Sequence, residues 1–526
     1  MRLGLFRSWA AAAVLLLVST LPAMAEVVYN RGNSADPESL DPHKTSTVYE
    51  ANILRDLFTG LVAHDAKGNA VPGAAESWDI SPDRTVYTFK LRRDGVWSNG
   101  EPVTAHDFVY SFQRLQRPDT AAEYAYMLYP VKNAEAVNKG EAKPEELGVK
   151  AIDDHTLEVT LNAPTPYFLE LLTHQATYAV HKASVETLGA EFVKPGNLVS
   201  NGAYTLAEFV PNDHIKLVKN PKFFDAANVQ IDVVNYLPTE DRSTAIKRFE
   251  AGEIDTNDDF PTEQLSEIKA KFGDQVRVGP YLGTYYYTFK VDKEPWSNPK
   301  LRHAISMAID REFLAEKVWQ NTMLPGYSFV PPGIPGYEPR TLEYADQSQL
   351  DREDEAKKIL AELGYGPDKP LRMEIRYNTS ENHKNTAVAI QEQLKPLGIE
   401  ISLLNTDTKT HYSHLEQKGD YDVARAGWIA DYKDPENFLS LVKTGAGNNY
   451  SGYSSTEYDG LLAKAAAEPD PAKRSQILSE AEAIFVRDIP YLPLLFYSYH
   501  NLVSPKIKGW EDNVLDVHPT RFLRKE

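Results

Sequence analysis

The chain has 526 residues, a formal net charge of −19 at pH 7 and no cysteine. The lack of thiols excludes disulfides, thiolate nucleophiles, Fe–S clusters and cysteine zinc sites. The acidic balance argues against nucleic acid and anionic lipid as partners. The length predicts two or three domains, since it exceeds what one hydrophobic core usually serves.

The first 25 residues are typical of a cleaved secretory signal. Arg2 and Arg7 provide positive charge, Ala10–Leu21 is an apolar run, and Ala23–Ala25 reads A-x-A. A membrane anchor is the disfavoured alternative, because the apolar run is shorter than a bilayer span. No cysteine follows the signal to carry a lipid, so we expect a soluble exported protein. The lack of disulfides favours the bacterial periplasm.

Hydrophobic periodicity and turn residues predict the regular elements of the first half of the chain. In chain order they are a strand at Val27–Asn30, a helix at Tyr49–Leu61, a strand at Thr85–Leu91, a helix at Thr104–Leu115, a hairpin over Gly148–Leu161, a short helix at Pro166–Thr173, strands at Asn201–Leu206 and His214–Lys219, and a helix at Arg242–Ala251. Thr104 is placed to cap its helix, with Asp107 completing a capping box.

The second half continues with a strand at Gly283–Val291 and helices at Pro299–Ile309 and Glu353–Leu363. Then come a strand–helix–strand unit at Leu371–Tyr377, Lys384–Leu397 and Ile399–Leu403, a strand from Tyr421, and helices at Glu436–Val442, Thr456–Ala467 and Pro471–Arg487. The strand–helix–strand unit predicts a parallel crossover.

Strands and helices mix along the whole chain without repeats, which predicts a mixed α/β protein. No low-complexity linker separates two consecutive domains in the sequence. Since a single linker would leave such a seam, we expect strands to cross between domains. This is the organisation of clamshell proteins that close by hinge bending.

The stretch from Tyr421 to Asp431 is the most informative part of the chain. It begins as a strand and ends as a loop, and it carries Arg425, Trp428 and Asp431. Strand ends that feed loops are where α/β proteins bind ligands. From these residues alone two interpretations stay open: a binding surface, or two surface charges beside a core tryptophan.

Catalytic motifs are absent from the sequence. It contains no G-x-S-x-G, H-E-x-x-H or G-x-x-x-x-G-K-[ST] pattern. His411 and His414 have the spacing of a helical metal pair, but no third ligand accompanies them. We therefore predict a protein without catalytic residues, metal or cofactor.

Several long segments are similar to the periplasmic oligopeptide-binding proteins of ABC importers, in the dipeptide/oligopeptide cluster of solute-binding proteins. They are Ser39–Lys44, Gly73–Trp78, Trp97–Ala105, Asp107–Ser111, Gly148–Val159, Asn201–Leu206, Tyr285–Tyr287 and Tyr421–Tyr432. The resemblance covers essentially the whole chain after the signal. It implies a three-lobed clamshell with a hinge between two main lobes: lobe I at 26–58, 182–282 and 499–526, lobe II at 59–181, and lobe III at 283–498.

The resemblance also implies a ligand-binding set. Asp431, in Gly427–Asp431, matches the aspartate that binds the α-ammonium group of the peptide, and Trp428 matches a wall of the cleft. Arg425 and His383 match basic residues that receive the C-terminal carboxylate, each for particular peptide lengths. Further positions that line the cleft are Tyr124, Val48, Tyr285 and Tyr497.

Three positions depart from well-known members of the family, which carry lysine at Trp319, arginine near Leu415–Glu416 and glutamate at Ser46. Cations for the carboxylate are thus missing while the α-amino site is kept. This leaves the peptide length open and admits a murein tripeptide as an alternative ligand.

The resemblance implies short peptides and an ABC permease as partners, and we expect the protein to be a monomer. A periplasmic peptide hydrolase and a chaperone-like protein are the alternatives of other classes.

Overall fold

A computed structural model of the chain describes residues 26–45, 47–261 and 264–526. The predicted signal at 1–25 and the departure at Ser46 lie outside the described residues. Helices and strands are interleaved along the described chain, which confirms the predicted mixed α/β class.

Most of the strands are short. In chain order they are β1 (Val28–Asn33), β2 (Val62–His64), β3 (Ala70–Pro72), β4 (Ala75–Ile80), β5 (Val86–Leu91), β6 (Val149–Asp153), β7 (Thr156–Thr160), β8 (Tyr204–Val210), β9 (His214–Lys219), β10 (Val233–Pro238), β11 (Thr256–Asn257), β12 (Val276–Phe289), β13 (Met323–Pro325), β14 (Leu371–Asn378), β15 (Ile399–Thr406), β16 (Val423–Ile429), β17 (Tyr491–Val503), β18 (Ile507–Lys508) and β19 (Arg524–Lys525).

The α-helices are connected by loops and short 3-10 turns. They are α1 (Val48–Leu57), α2 (Ala105–Gln116), α3 (Ala134–Asn138), α4 (Phe168–Leu171), α5 (Lys182–Leu188), α6 (Arg242–Glu250), α7 (Leu265–Phe272), α8 (Pro299–Ala308), α9 (Arg311–Phe313), α10 (Gln349–Glu362), α11 (Glu381–Leu394), α12 (Thr408–Glu416), α13 (Glu436–Leu439), α14 (Thr456–Ala467) and α15 (Pro471–Asp488).

One mixed sheet runs through most of the molecule in the order β15-β14-β16-β12-β17-β11-β1-β10-β9-β8, with β13 paired to β17. β14 pairs with β15 in parallel, as predicted for the strand–helix–strand unit around α11. A separate antiparallel sheet has the order β4-β5-β7-β6 and contains the predicted hairpin β6–β7. The predicted pair β8–β9 is also present.

The first helix ends earlier than predicted. α1 stops at Leu57, where the pattern predicted helix as far as Leu61. The side chain of Asn201 accepts from the backbone N–H of Thr59 and donates to its carbonyl, both at 2.9 Å. This pairing satisfies Thr59 in a non-helical conformation, so the chain leaves the helix there. In α2 the prediction is confirmed: Thr104 and Asp107 form the capping box.

The longest strands, β12 and β17, pair along most of their length. The predicted lobe boundaries at 282/283 and 498/499 fall inside these two strands, and they stay a prediction. Buried apolar side chains form one cluster between positions 282 and 495. A second cluster spans 29–236 with the returning C-terminal segment, and a third, smaller one surrounds α6 and α7. β16, which carries the candidate site, is therefore an inner strand of the large sheet beside the first cluster.

Among the described residues, no helix combines the length and the apolar character needed to cross a bilayer.

Candidate ligand-binding cleft

β16 is flanked on both sides by strands of the large sheet. It pairs antiparallel with β12, where Arg425 lies opposite Tyr287 and Gly427 opposite Tyr285, and parallel with β14. Because side chains alternate between faces, these four positions share one face of the sheet. A Cβ at Gly427 would lie 2.6 Å from the Tyr497 hydroxyl. The glycine thus leaves the space in which Tyr497 reaches Arg425.

The loop after β16 is held by contacts on several sides. The Asp434 carboxylate accepts two hydrogen bonds from the Arg474 guanidinium of α15, at 2.7 and 2.8 Å. Lys433 donates to two oxygen atoms of the turn between β2 and β3, at 2.7 and 2.9 Å. The Tyr432 ring stacks on Tyr167 with 4.6 Å between centroids. These contacts fix the position of Asp431 at the start of the loop.

A cleft that is partly open to solvent lies beside this loop. The end of β16 and its loop form one wall, which includes Asp431. The opposite walls come from α1, from Tyr124 and from the segment around α4. Of the predicted ligand-binding residues, Asp431, Tyr124 and Val48 all line this cleft.

Asp431 is a largely buried carboxyl group in the cleft. Burial raises its pKa to about 6, because desolvation disfavours the charged form, and hydrogen bonds with Asn437 and Tyr126 oppose this shift. None of the basic side chains in the described ranges contributes to the pKa of Asp431. Among the described residues the carboxylate therefore has no cationic counterpart, and a positively charged group of a ligand would provide one.

Trp428 and Asp431 are tied together by one side chain. The indole Nε1 of Trp428 donates to Asn437 Oδ1 at 2.7 Å, and the backbone N–H of Asp431 donates to the same oxygen at 3.3 Å. Asn437 is buried at the start of α13. The half-buried indole is thereby held in one orientation, three residues before the carboxylate.

The cleft also exposes apolar and aromatic surface. Val48 is 58% exposed and Ile429 46% exposed. The Tyr124 ring stacks on His174 at 4.5 Å and lies 5.3 Å from the Tyr126 ring. Apolar walls with a few convergent polar groups are the usual composition of a small-ligand site.

A second group of predicted residues surrounds Arg425. Its guanidinium donates to the hydroxyls of Tyr497 and Tyr412, at 2.9 and 2.8 Å, and to Asn378 Oδ1 at 3.2 Å. It also lies over the Tyr285 ring, 4.8 Å from the centroid. Arg425 is 6% exposed, and its Nε is buried without a hydrogen-bond partner. These hydrogen-bond partners are all neutral, so they do not cancel the charge.

His383 lies beside this group, with Nδ1 3.3 Å from the Tyr285 hydroxyl. Burial, together with the nearby Arg425, lowers the pKa of His383 to about 3. The ring is therefore neutral at physiological pH and offers a hydrogen bond rather than a charge. The ring centroids of Trp319 and His383 lie 6.3 Å apart, and the Trp319 indole N–H donates to Thr386 Oγ1 at 3.0 Å.

The predicted residues thus fall into two groups, with Trp428 between them on β16. The first group contains Asp431, Tyr124 and Val48, and the second contains Arg425, His383, Tyr285 and Tyr497. At the remaining departures, Leu415 is fully buried and Glu416 is exposed at the end of α12.

Sequence reasoning missed several residues that line the cleft: Arg55, His64, Glu170, His174, Gln175 and Tyr281. Arg55 belongs to an amphipathic helix, where an arginine is ordinarily a solvated residue. Glu170, His174 and Gln175 belong to a short apolar segment that contains no recognisable motif. No local signal distinguishes them, since only the packing of distant segments brings them to one cavity.

The imidazoles of His411 and His414 each face a backbone carbonyl oxygen. His411 Nε2 lies 2.8 Å from the carbonyl oxygen of Arg425, and His414 Nε2 lies 2.8 Å from that of Asp420. Over the part of the chain that the structure describes, no three His, Cys, Asp or Glu side chains are grouped to hold a metal ion. Both imidazoles bind backbone instead.

Residues 69–450 match the family model of the bacterial extracellular solute-binding proteins, family 5 Middle. The chain belongs to this family. It is 42% identical to the periplasmic oligopeptide-binding protein OppA of Escherichia coli (strain K12), over 91% of this chain and 89% of the relative.

Two solved structures of other proteins are similar to this family 5 protein. MppA, a periplasmic murein tripeptide binding protein, matches in its unliganded open form with a TM-score of 0.88 and 38% identity, over 95% of this chain and 98% of the other. OppA of Haemophilus influenzae in complex with RPPGFSPFR matches with a TM-score of 0.75 and 37% identity, over 95% of this chain and 99% of the other. The chain therefore has the periplasmic-binding-protein fold and a solute-binding role, and its shape is nearer to the open form.

Proposed function

We propose that this protein captures extended peptides in the cleft beside β16 and delivers them to the permease of an ABC importer. The observation that carries the proposal is Asp431: a desolvated carboxylate that no basic side chain of the described residues balances, in a cleft with aromatic and apolar walls. A peptide α-ammonium supplies the missing charge. The named role of the E. coli relative, oligopeptide binding, is of the same kind.

The other predicted residues receive roles consistent with their places. Arg425 keeps an uncancelled charge and would receive the peptide carboxylate, with a neutral His383 donating a hydrogen bond. Trp428, Tyr124, Val48, Tyr285 and Tyr497 would form the walls. Backbone pairing with the extended ligand gives affinity without regard to side chains, and water in the side-chain pockets adapts to each sequence.

Location and assembly belong to the same proposal. Cleavage after residue 25 would release the chain into the periplasm without a lipid anchor, since the sequence has no cysteine. It would act there as a monomer without nucleic acid, metal or enzymatic step. The three-lobed division would put the hinge in β12 and β17, which carry both boundaries.

A murein tripeptide is the second candidate ligand. One observation favours it: the indole of Trp319 lies beside Tyr285 and His383, at a position where well-known members of the family carry lysine. The group around Arg425 has fewer cations than in those family members. It can therefore accept a ligand whose carboxylates do not lie at the C-terminus of an extended peptide.

The direct experiment is mass spectrometry of the ligands that freshly purified protein releases on denaturation. We expect short peptides with free amino termini, and murein peptides would select the second candidate. Intact peptide after prolonged incubation separates a binding protein from a hydrolase. Release of non-peptide solutes alone, together with no binding of added tripeptides, would contradict the proposal. Equal binding of unfolded chains and short peptides would favour a chaperone.

A further inference from the structure

Arg55 is a second uncancelled charge in the cleft that holds Asp431. On α1, its Nη1 donates to Asn52 Oδ1 at 3.3 Å, and its Nε is buried without a hydrogen-bond partner. Burial lowers its pKa, and no carboxylate is among the main contributions to that shift. Desolvating a guanidinium without an anion is costly, so the site is poised for one.

The groups that contribute most to the pKa shift of Arg55, besides burial, are tyrosines and Arg31. His174 and His64 line the same cleft, and burial with Arg55 nearby lowers the pKa of each to about 3. Glu170 and Asp431 are carboxyl groups of the same cleft, but neither is among the main contributions to the pKa of Arg55. Burial raises the pKa of Glu170 to about 7, and its cationic neighbour is Lys433. These groups do not neutralise Arg55.

Two almost fully buried side chains that carry N–H donors also line this cleft. Gln175, 3% exposed, has Oε1 without a hydrogen-bond partner, and His64, 8% exposed, has Nδ1 without one. Both residues line the cleft. The amide NH₂ of Gln175 and the one N–H of a neutral His64 can donate to an anion, whereas Gln175 Oε1 can only accept.

We infer that Arg55, with Gln175 and His64, forms a subsite for an acidic side chain at the amino-terminal residue of the bound peptide. The inference rests on the proposed function. With the α-ammonium at Asp431 and the C-terminal carboxylate at Arg425, the anion available to the Arg55 side of this cleft is the side chain of an amino-terminal Asp or Glu. One peptide then pairs its ammonium group with Asp431 and its side-chain carboxylate with Arg55.

The test is calorimetry with two matched tripeptides, Glu-Ala-Ala and Gln-Ala-Ala. The wild-type protein should bind Glu-Ala-Ala about tenfold or more tightly, as expected for a charge-assisted hydrogen bond. Arg55→Gln should abolish that preference, so that the two tripeptides bind with equal affinity. Arg55→Lys should keep part of it, since the charge remains and the fork geometry is lost. Arg93→Gln, at an exposed position, is the control and should keep the preference.

Equal affinities of the wild-type protein for the two peptides would overturn the inference. An equal loss for both in Arg55→Gln would also overturn it, because Arg55 would then serve the fold or pair with Asp431 on closure. The wild-type comparison holds even if the variant fails to fold. Binding of Gln-Ala-Ala distinguishes failure of the proposed function from failure of the subsite. If neither peptide binds the wild-type protein, the proposed function fails. If both bind equally, only the subsite inference fails.

Discussion

Asp431 and Arg425 are both desolvated, but their charges are held differently. Arg425 is surrounded by phenol oxygens and an aromatic face, which favour its cationic form. Asp431 has neutral partners and a pKa raised to about 6, so its charge depends on pH in the neutral-to-acid range. The proposed amino anchor is therefore a pH-sensitive part of the site.

Replacing the carboxylate isolates its contribution. Asp431→Asn should weaken tripeptide binding by about 2–5 kcal/mol, the usual cost of removing one partner of a buried charge pair. The thermal midpoint should not fall, because a desolvated and unpaired charge is removed. Calorimetry and thermal denaturation measure the two effects. Asp346→Asn, at an exposed position, is the control, and the same loss in both variants would contradict the assignment.

The affinity should fall as the pH drops through 6. A carboxyl with a pKa of about 6 is mostly ionised at pH 7 and mostly protonated at pH 5, so binding of a free-amino peptide should weaken about tenfold over that interval. His383, with its pKa lowered to about 3, stays neutral throughout. Calorimetry at several pH values measures the effect. A pH dependence that persists in Asp431→Asn would assign it to another group, such as Glu170.

At the scale of elements, α15 organises the loop between β13 and α10. Glu482 on this helix is fully buried and accepts from the backbone N–H groups of Val330 and Arg340, at 2.9 and 2.8 Å, and from the Tyr337 hydroxyl at 2.7 Å. Burial raises its pKa to about 7. One side chain thus satisfies three donors of an otherwise irregular segment.

Glu482→Ala should lower the free energy of unfolding by about 3 kcal/mol or more, because three buried donors lose their acceptor. Glu482→Gln keeps an acceptor oxygen and should cost less. Urea denaturation measures both changes. Glu480→Ala, exposed on the same helix, should have no measurable effect. A Glu482→Ala variant as stable as that control would show that the loop does not depend on this contact.

The sequence predicted elements whose signals are local. The hairpin β6–β7, the β14–α11–β15 crossover and the capping box of α2 each follow from short-range periodicity and turn or cap residues. The early end of α1 could not be predicted from local signals, because it depends on Asn201 far along the chain. The continuous sheet through β12 and β17 likewise comes from long-range pairing. The ligand-binding residues were predicted from the resemblance to a known family. Arg55 could be recognised as a cleft residue only from the fold, which places it beside the cleft.

At the scale of the whole molecule, β12 and β17 connect the part that carries β16 with the part that carries β1 and α1. The cleft lies between Asp431 on one side and α1 on the other, and the shape is nearer to an open relative than to a peptide complex. Ligand binding should therefore bring these two walls together.

Closure is measurable in solution. Adding a saturating tripeptide should reduce the radius of gyration in small-angle X-ray scattering, because binding energy is released when both walls contact the ligand. Asp431→Asn at the same peptide concentration should stay open. An unchanged radius in the wild-type protein, at a concentration where calorimetry shows saturation, would contradict closure around the ligand.

The central claim is that the cleft recognises a free peptide amino terminus through Asp431. Calorimetric titration of the wild-type protein with one tripeptide, free and N-acetylated, tests it most directly. Acetylation removes the ammonium charge and leaves the backbone and side chains unchanged. The free peptide should bind more tightly by about 2 kcal/mol or more. Equal affinities for the two forms would contradict the claim.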